Sequence, residues 1–289
     1  MSERLGDRMK LYESAECGRR FMPFLPILAR VDGRAFHSFT RGMQRPFDPA
    51  MQQCMLRTAI ALTKETNASI VYTQSDEISL AWHVTDPDSE VWFGGRISKM
   101  VSLLAAEATL AFYEAASELL PAYVGRRPRF DARVWQVPNR TEAANAFLWR
   151  ELDAIRNSIT MAARVYFSDR QLHGVNGLRM IQMLKEKGVD WHAYPDAFKR
   201  GVYVQRRAVE RPFTAEELAQ LPPKHAARQD PTLIVRRSVL DVVALPPLRS
   251  IANREAVIFD GAEPALQETF AEASVLDEAQ QLPERAEAA

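Results

Sequence analysis

The stretch that most constrains this chain is a short apolar run that ends abruptly in an acid, a glycine and a base. Residues 26–31 read Pro-Ile-Leu-Ala-Arg-Val and predict a buried strand, bounded by Pro26 before it and by Gly33 after it. Asp32 stands where this strand ends. Its carboxylate and a nearby backbone carbonyl are the kind of oxygen ligands that Mg²⁺ prefers. The sequence therefore predicts half of a metal site at this point.

A second pair of acids follows in a predicted hairpin. Residues 69–72 and 78–82 are short apolar runs typical of strands, and the polar residues 73–77 separate them. Asp76 and Glu77 fall at the tip of this hairpin. If the first strand lies beside the hairpin, Asp32 meets one of these acids, as two-metal phosphoryl-transfer enzymes require to hold ions roughly 3.5–4 Å apart.

Strand alternation does not decide which acid is the partner. Successive strand residues face opposite ways, so Asp76 shares a face with Ile78 and Leu80, whereas Glu77 shares one with Ser79. A strict strand sends Glu77 to the wetter face. Asp76 could instead belong to the turn, where alternation does not apply. Both acids remain candidates, and solvated turn acids are an equally good interpretation of the hairpin alone.

The order of the predicted elements indicates an α+β fold. Residues 1–22 predict a short helix leading into the domain. Asp48-Pro49 predicts a helix start, a long alanine-rich helix ends near Leu120, and residues 129–137 alternate like a fourth strand. The resulting βαββαβ order is that of ferredoxin-like, polymerase-type palm domains, and a C-terminal helical and small β extension follows it.

The predicted domain boundaries follow from this order. We expect a palm catalytic domain with its lead-in over 1–140, a helical region completing the catalytic unit over 141–210, an extension over 211–260 and a mobile acidic tail over 261–289. Residues 200–209 and 233–245 are expected to pair as strands, with a helix between them that starts at the capping box of Thr214 and Glu217.

Composition limits the cellular setting and the partners. The net charge is +0, but the last 29 residues hold seven acids against Arg285, which leaves 36 bases and 30 acids, or +6, in residues 1–260. A mildly basic body permits a nucleic-acid partner. Cys17 and Cys54 lie in no paired motif, and no signal segment or long apolar span is present. We expect a cytoplasmic protein without a membrane partner.

Several bases suggest phosphate binding. Ser98 and Lys99 begin a helix after a Gly-Gly pair, where backbone N–H groups favour phosphate, although such a pair is more often only a loop. Further bases lie near Asp32 in sequence and could neutralise a triphosphate, or could be surface bases and a packed histidine: Arg30, Arg34, His37 and Arg45. Two basic clusters could hold an RNA backbone, or be solvated faces: Arg126, Arg127, Arg129 and Arg133, and Lys199, Arg200, Arg206 and Arg207.

Three motifs together resemble the tRNA-His guanylyltransferase superfamily. They are Arg30-x-Asp32-Gly33-Arg34-x-Phe36-His37-x-Phe39, Gln74-Ser75-Asp76-Glu77-x-Ser79 and Ser98-Lys99-Met100. The resemblance runs in order over roughly residues 5–210. Members of the superfamily are reverse polymerases that add nucleotides to the 5′ end of tRNA on a polymerase-like palm.

The resemblance implies a set of roles. Asp32, Asp76 and the Gly33 carbonyl would hold two Mg²⁺ ions, and Glu77 is a neighbouring acid that is also needed. Nucleotide or triphosphate binding is implied for Arg30, Arg34, Ala35, Phe36, His37, Arg45, Ser75 and Lys99. ATP or GTP would activate a 5′-monophosphorylated tRNA, and the 3′-hydroxyl of an incoming nucleotide would attack the activated phosphate. A homotetramer is implied as well.

One departure from the family pattern bears on the substrate. Where eukaryotic members have His-x-Asn-Asn after an acid, this chain reads Asp153-Ala154-Ile155-Arg156-Asn157-Ser158. It resembles the bacterial and archaeal Thg-like branch, which repairs 5′-truncated tRNAs by templated addition. The alternatives are a palm-domain nucleotide cyclase or dinucleotide synthase, and a noncatalytic RNA-binding relative.

Overall fold

The structure, a computed structural model, describes residues 4–230 and 232–267. The predicted acidic tail from residue 268 onward lies outside the described residues. Residues 261–267 form the first part of the predicted tail of 261–289. They are tied to the body, because the Ala252 N–H donates to the Ala265 carbonyl at 2.7 Å. None of the helices in the described part of the chain is long and apolar enough to span a membrane.

A single antiparallel sheet of six strands organises the described chain, in the order β4-β1-β3-β2-β5-β6. The strands are β1 (Ile27–Gly33), β2 (Ile70–Gln74), β3 (Glu77–Trp82), β4 (Phe130–Gln136), β5 (Val202–Pro212) and β6 (Ile234–Val243).

Helices cover both faces of this sheet. They are α1 (Leu5–Cys17), α2 (Phe36–Phe39), α3 (Pro49–Thr66), α4 (Ile97–Leu119), α5 (Pro121–Val124), α6 (Arg140–Ala163), α7 (Asp169–Leu172), α8 (Gly177–Glu186), α9 (Asp196–Arg200), α10 (Ala215–Gln220), α11 (Ala226–Gln229) and α12 (Arg254–Asp260). The predicted βαββαβ order is therefore present as β1, α3, β2, β3, α4 and β4.

The two faces of β1 belong to two different cores, which explains why its sequence is apolar without a break. Ala29 and Val31 pack with α3 and α4 on one face. Leu28 packs with α6, α8 and α12 on the other. A strand buried on both faces reads as a continuous apolar run, since neither set of alternate residues reaches water. Arg30 and Asp32 lie on the α6 face at the end of this run.

The C-terminal strands extend the same sheet. Val202–Pro212 and Ile234–Val243 pair as predicted, and β5 also pairs with β2. The helix between them begins at Thr214, whose side chain accepts from the Glu217 N–H while the Glu217 carboxylate accepts from the Thr214 N–H. The predicted pairing and capping box are both confirmed.

Candidate active site

A row of carboxylates crosses three strands at one end of the sheet. Asp32 on β1 lies directly opposite Glu77 on β3 and directly opposite Asp131 on β4. Directly opposed residues of antiparallel strands share a face, so all three side chains project toward α6. Asp131 was not among the predicted site residues, because only strand pairing brings it beside Asp32. Its position inside a run of arginines made it look like part of a basic cluster.

Asp76 reaches the same place from the turn of the hairpin. The turn consists of only Ser75 and Asp76, and Ser75 has a φ of 51°. The Gly33 N–H donates to the Asp76 carbonyl at 3.0 Å, and the Ser75 hydroxyl donates to Asp76 Oδ1 at 3.1 Å. The two sequence motifs are thus joined by a backbone hydrogen bond. The predicted five-residue connection of residues 73–77 was too long, because β2 continues to Gln74 and β3 already begins at Glu77.

Gly33 is required by the packing of the next turn. A Cβ on Gly33 would lie 2.4 Å from Cδ2 of the Phe36 ring. Phe36 is buried and packs against Phe39, Phe112 and Phe130 at centroid distances of 4.9–5.4 Å. The aromatic core therefore fixes the bend that follows Asp32. Any contact of Phe36 with a nucleotide would have to come from its backbone, since its side chain lies in this core.

Glu77 is buried, so the expectation of a wetter position for it was wrong. Arg150 of α6 donates from Nε to Glu77 Oε1 at 2.6 Å and from Nη2 to Glu77 Oε2 at 2.8 Å. The same guanidinium donates to Asp153 Oδ2 at 2.7 Å. Asp153 also accepts from Arg156 and Asn157. Polar side chains of α6 therefore lie against Glu77 at the edge of the site.

The charges of this cluster shift the pKa values of its bases. Burial would lower the pKa of the Arg150 guanidinium, but Glu77 and then Asp153 more than offset burial and raise that pKa. Burial lowers the pKa of Arg30, and the charge of Glu77 opposes that shift. Nε of Arg30 lies 4.0 Å from Glu77 Oε2. Both bases stay cationic at neutral pH because an arginine pKa lies far above 7.

The remaining predicted nucleotide ligands near Asp32 lie on the surface around α2. Ala35 adopts a left-handed conformation with φ 55°, and the Arg34 N–H donates to the Arg129 carbonyl at 2.8 Å. Exposed residues at this end of the sheet or in the loop after α2 are Arg34, Ala35, His37, Arg45 and Ser75. Arg34, His37 and Arg45 are the exposed bases of this set, and Arg30 adds a partly buried base beside Glu77.

Lys99 lies at the opposite end of the sheet from Asp32 within the chain. The start of α4 is bonded to residues 19–21, and Gln136, which pairs with Ile27, bonds to Met22. The Phe130 N–H near Gly33 instead donates to Thr109, ten residues further along α4. Ten helical residues span about 15 Å. The structure does not bring Lys99 to the carboxylates of its own chain, and its predicted role stays a prediction.

Several bases of the two basic clusters are engaged within the protein. Arg126 donates to the carbonyls of Phe39 and Arg41 at 2.6 and 2.7 Å. Lys199 and Arg200 both pair with Asp196, and Arg207 pairs with Glu263. These contacts favour structural roles for those bases over a free RNA-binding face.

The donor set of the acid row suits Mg²⁺ in one specific way. Within residues 4–230 and 232–267, no three His, Cys, Asp or Glu side chains converge as a metal cage. The predicted donor set has only two carboxylates, those of Asp32 and Asp76, with the Gly33 carbonyl, so it is smaller than such a cage. Mg²⁺ is commonly bound by one or two carboxylates with water and substrate phosphates completing its shell. The acids on either side of Asp32 already have partners, since Glu77 pairs with Arg150 and Asp131 pairs with Arg133.

The sequence and fold both match one family. The sequence model of the tRNAHis guanylyltransferase family, Thg1, matches residues 6–138. A solved bacterial tRNA(His) guanylyltransferase-like protein in complex with ATP is 34% identical, with a TM-score of 0.66, over 71% of this chain and 87% of that one. The chain belongs to the tRNAHis guanylyltransferase family.

Two further relatives agree with this assignment. A bacterial guanylyltransferase-like protein solved in complex with GTP is 28% identical, with a TM-score of 0.66, over 86% of this chain and 94% of that one. The tRNA(His) guanylyltransferase of Schizosaccharomyces pombe is 24% identical over 72% of this chain and 83% of its own length. The predicted resemblance is thus confirmed, and the family fold is a mixed helical and antiparallel-sheet structure.

Proposed function

We propose that this family member is a Mg²⁺-dependent nucleotidyltransferase that adds nucleotides to the 5′ end of tRNA in the 3′-to-5′ direction. The observation that carries the proposal is the hydrogen bond from the Gly33 N–H to the Asp76 carbonyl. It joins the Asp-Gly-Arg and Gln-Ser-Asp-Glu motifs into one site on a sheet with the strand order of a ferredoxin-like palm. The ATP and GTP complexes of the two bacterial neighbours support a nucleotide at this site.

In this proposal Asp32, Asp76 and the Gly33 carbonyl would hold two Mg²⁺ ions. The bound ions would polarise the reacting phosphate and stabilise the leaving group. The protein would otherwise contribute mainly position and charge, as is general for phosphoryl and nucleotidyl transfer. Arg30, beside Glu77, and the exposed Arg34, next to Gly33 in the chain, would neutralise phosphate charge.

The reaction would proceed in two stages. The 5′-phosphate of tRNA would first attack the α-phosphate of ATP or GTP, which releases pyrophosphate and leaves a nucleoside monophosphate on the tRNA. The 3′-hydroxyl of an incoming nucleotide then attacks the activated 5′-phosphate and displaces the activating nucleotide. We assign the protein to templated repair of 5′-truncated tRNAs, because Ile155 and Arg156 stand where a His-x-Asn-Asn stretch would begin.

The test is extension of a panel of 5′-truncated tRNAs with labelled nucleotides. Wild-type protein should lengthen the tRNA, and Asp32→Ala should abolish extension. Asp88→Ala, an exposed turn acid, is the matched control and should retain wild-type activity. Unchanged extension by Asp32→Ala would exclude the metal assignment.

The same incubation separates the alternatives. A cyclic or dinucleotide product made without tRNA would identify a palm-domain cyclase or synthase. Tight tRNA binding with no product from any nucleotide would identify a noncatalytic RNA-binding relative.

A further inference from the structure

We propose that Glu77 is a positioning residue, held by Arg150 and Asp153, and that these three side chains fix the hairpin on which Asp76 depends. This inference rests on the proposed function for its meaning in catalysis. It assigns Arg150 and Asp153 to the active site, and it separates Glu77 from the metal ligands.

The geometry of Glu77 is that of a side chain whose charge is already met. Its side chain is 1% exposed, and the side chains of Arg150 and Asp153 are 4% and 3% exposed. Both carboxylate oxygens of Glu77 accept hydrogen bonds from the two donors of one guanidinium, at 2.6 and 2.8 Å. Bidentate pairs of this kind are strong and directional.

A cation held by Glu77 would lie against Arg150. The guanidinium is fixed at hydrogen-bond distance from the carboxylate, and the Trp149 ring lies 4.5 Å from it. Arg150 therefore has little room to move away. Two positive groups sharing one buried carboxylate would repel each other strongly, because the effective dielectric constant there is low. Asp32 lies on the opposite strand, nearer to solvent, and is the better metal ligand.

Asp153 completes the arrangement from within α6. It lies three residues after Arg150, so the two side chains are neighbours on the helix surface. Its Oδ2 accepts from Arg150, and Oδ1 accepts from Arg156. The orientation of Arg150 is therefore set by its own helix. Glu77 is drawn onto that helix at the first residue after the Ser75-Asp76 turn.

Movement of Glu77 would be transmitted directly to the proposed metal ligands. Glu77 is the Cα partner of both Gln74 and Asp32, so it lies between the hairpin and β1. Asp76 is its chain neighbour. Loss of the Arg150 side chain would remove two hydrogen bonds from this buried carboxylate and would shift this junction. Displacements of about 1 Å in a catalytic site can cost on the order of 100-fold in rate.

The experiment is a double-mutant cycle of Glu77→Gln and Arg150→Met. The tRNA extension rate, the KM for GTP and the unfolding midpoint are measured for each protein. Each single variant should lose on the order of 100-fold in kcat. KM for GTP should stay within about threefold, and the double variant should be no slower than the slower single variant. Multiplying losses in the double variant would overturn the proposal, since independent roles would then be shown.

Metal binding supplies a readout that does not depend on turnover. In a Mn²⁺ titration followed by electron paramagnetic resonance, Asp32→Asn removes a proposed ligand and should leave no binding over the range in which wild type saturates. Glu77→Gln retains every proposed ligand and should weaken binding by at most about tenfold, as expected for a displaced supporting group. Equal losses in the two variants would identify Glu77 as a ligand and refute the proposal.

Two further variants control for folding and for charge. Arg150→Lys retains the charge but lacks the two-pronged donor geometry, so it should not restore kcat. Arg164→Met breaks the exposed pair with Asp169 near the end of the same helix and should behave as wild type. If Arg150→Met does not fold, the Mn²⁺ titration of Glu77→Gln still decides whether Glu77 is a ligand or a positioning residue. A wild-type protein inactive on every tRNA would refute the proposed function, while the metal titration and unfolding data would still test the positioning role.

Discussion

Glu151 is a buried carboxylate one residue after Arg150 on α6, and its hydrogen-bond partners, Tyr203 and Leu248, lie outside the acid row. Oε2 accepts from the Tyr203 hydroxyl at 2.9 Å and Oε1 accepts from the Leu248 N–H at 2.7 Å. Burial raises the pKa of Glu151 from 4.5 to about 7, against the opposing effects of Arg200 and the two hydrogen bonds. This carboxylate links α6 to β5 and to the segment after β6.

The raised pKa of Glu151 predicts a loss of stability with rising pH. The unfolded chain releases this proton near pH 4.5 and the folded chain near pH 7, so the folded state holds more protons between these values. The contribution is therefore complete below pH 4.5 and is lost as pH rises through 7. Between pH 5.5 and 8, wild type should lose on the order of 2 kcal/mol relative to Glu151→Gln.

Urea unfolding of both proteins across this range measures the difference. Other carboxylates titrate equally in the two proteins and cancel in the comparison. Parallel curves for wild type and Glu151→Gln would show that Glu151 is ionised throughout.

At the scale of single residues, the sequence identified most acids of the candidate site but not the role of each one. Asp32 and Asp76 could be found because each stands at a strand end or turn within a recognisable motif. The role of Glu77 depends on Arg150, which lies 73 residues further along the chain. Asp131 joins the row only through the pairing of β1 with β4. Neither contact leaves a local pattern in the sequence.

At the scale of elements, α3 begins where the sequence predicts, with Asp48 as its N-cap. Asp48 Oδ1 accepts from the Ala50 and Met51 N–H groups at 2.9 and 3.2 Å, and Pro49 occupies the first helical position. Oδ2 accepts from the Gln44 N–H at 3.2 Å, which ties the preceding loop to the helix. α3 packs against α4 and the sheet, so its stability is part of that of the core.

Loss of this cap should destabilise the protein measurably. Asp48→Ala should lower the free energy of unfolding by about 1 kcal/mol, because two N–H groups of the first turn lose their acceptor. Glu65→Ala, an exposed position near the other end of α3, is the control and should change stability by less than about 0.5 kcal/mol. A chemical unfolding curve for each variant gives the comparison. An equal effect of the two substitutions would mean that the cap contributes nothing specific.

Most elements could be predicted because their signals are local. The helix starts at Asp48 and Thr214 depend on side chains that bond to backbone three residues away or less, and the strand of residues 27–31 depends on continuous apolar character. The hairpin turn was predicted too long because Gln74 and Glu77 are polar. They are nevertheless in strands, since Glu77 is neutralised within the fold.

At the scale of the whole molecule, we propose a homotetramer on the basis of the family resemblance. Lys99 bears on this proposal, because it lies at the far end of the sheet from Asp32 within one chain. A role for Lys99 at the acid row would therefore require a second chain. Light scattering at working concentration should give about four times the 32.7 kDa chain mass. A monomer under the same conditions would remove the oligomeric proposal and leave the site itself unaffected. Cytoplasmic location likewise stays a prediction.

The sequence by itself determined the order of the strands, the start of α3, the end of α4, and the two acidic motifs that meet in the candidate site. These features follow from periodicity, caps and turns, which act over a few residues. Only the tertiary structure decided which acid faces which partner. In the structure Glu77 pairs with Arg150, and Asp32 lies nearer to solvent. Asp131 joins the acid row, and Lys99 lies away from it. Those outcomes depend on strand pairing and on charges brought together from distant parts of the chain, where burial makes each unpaired charge costly.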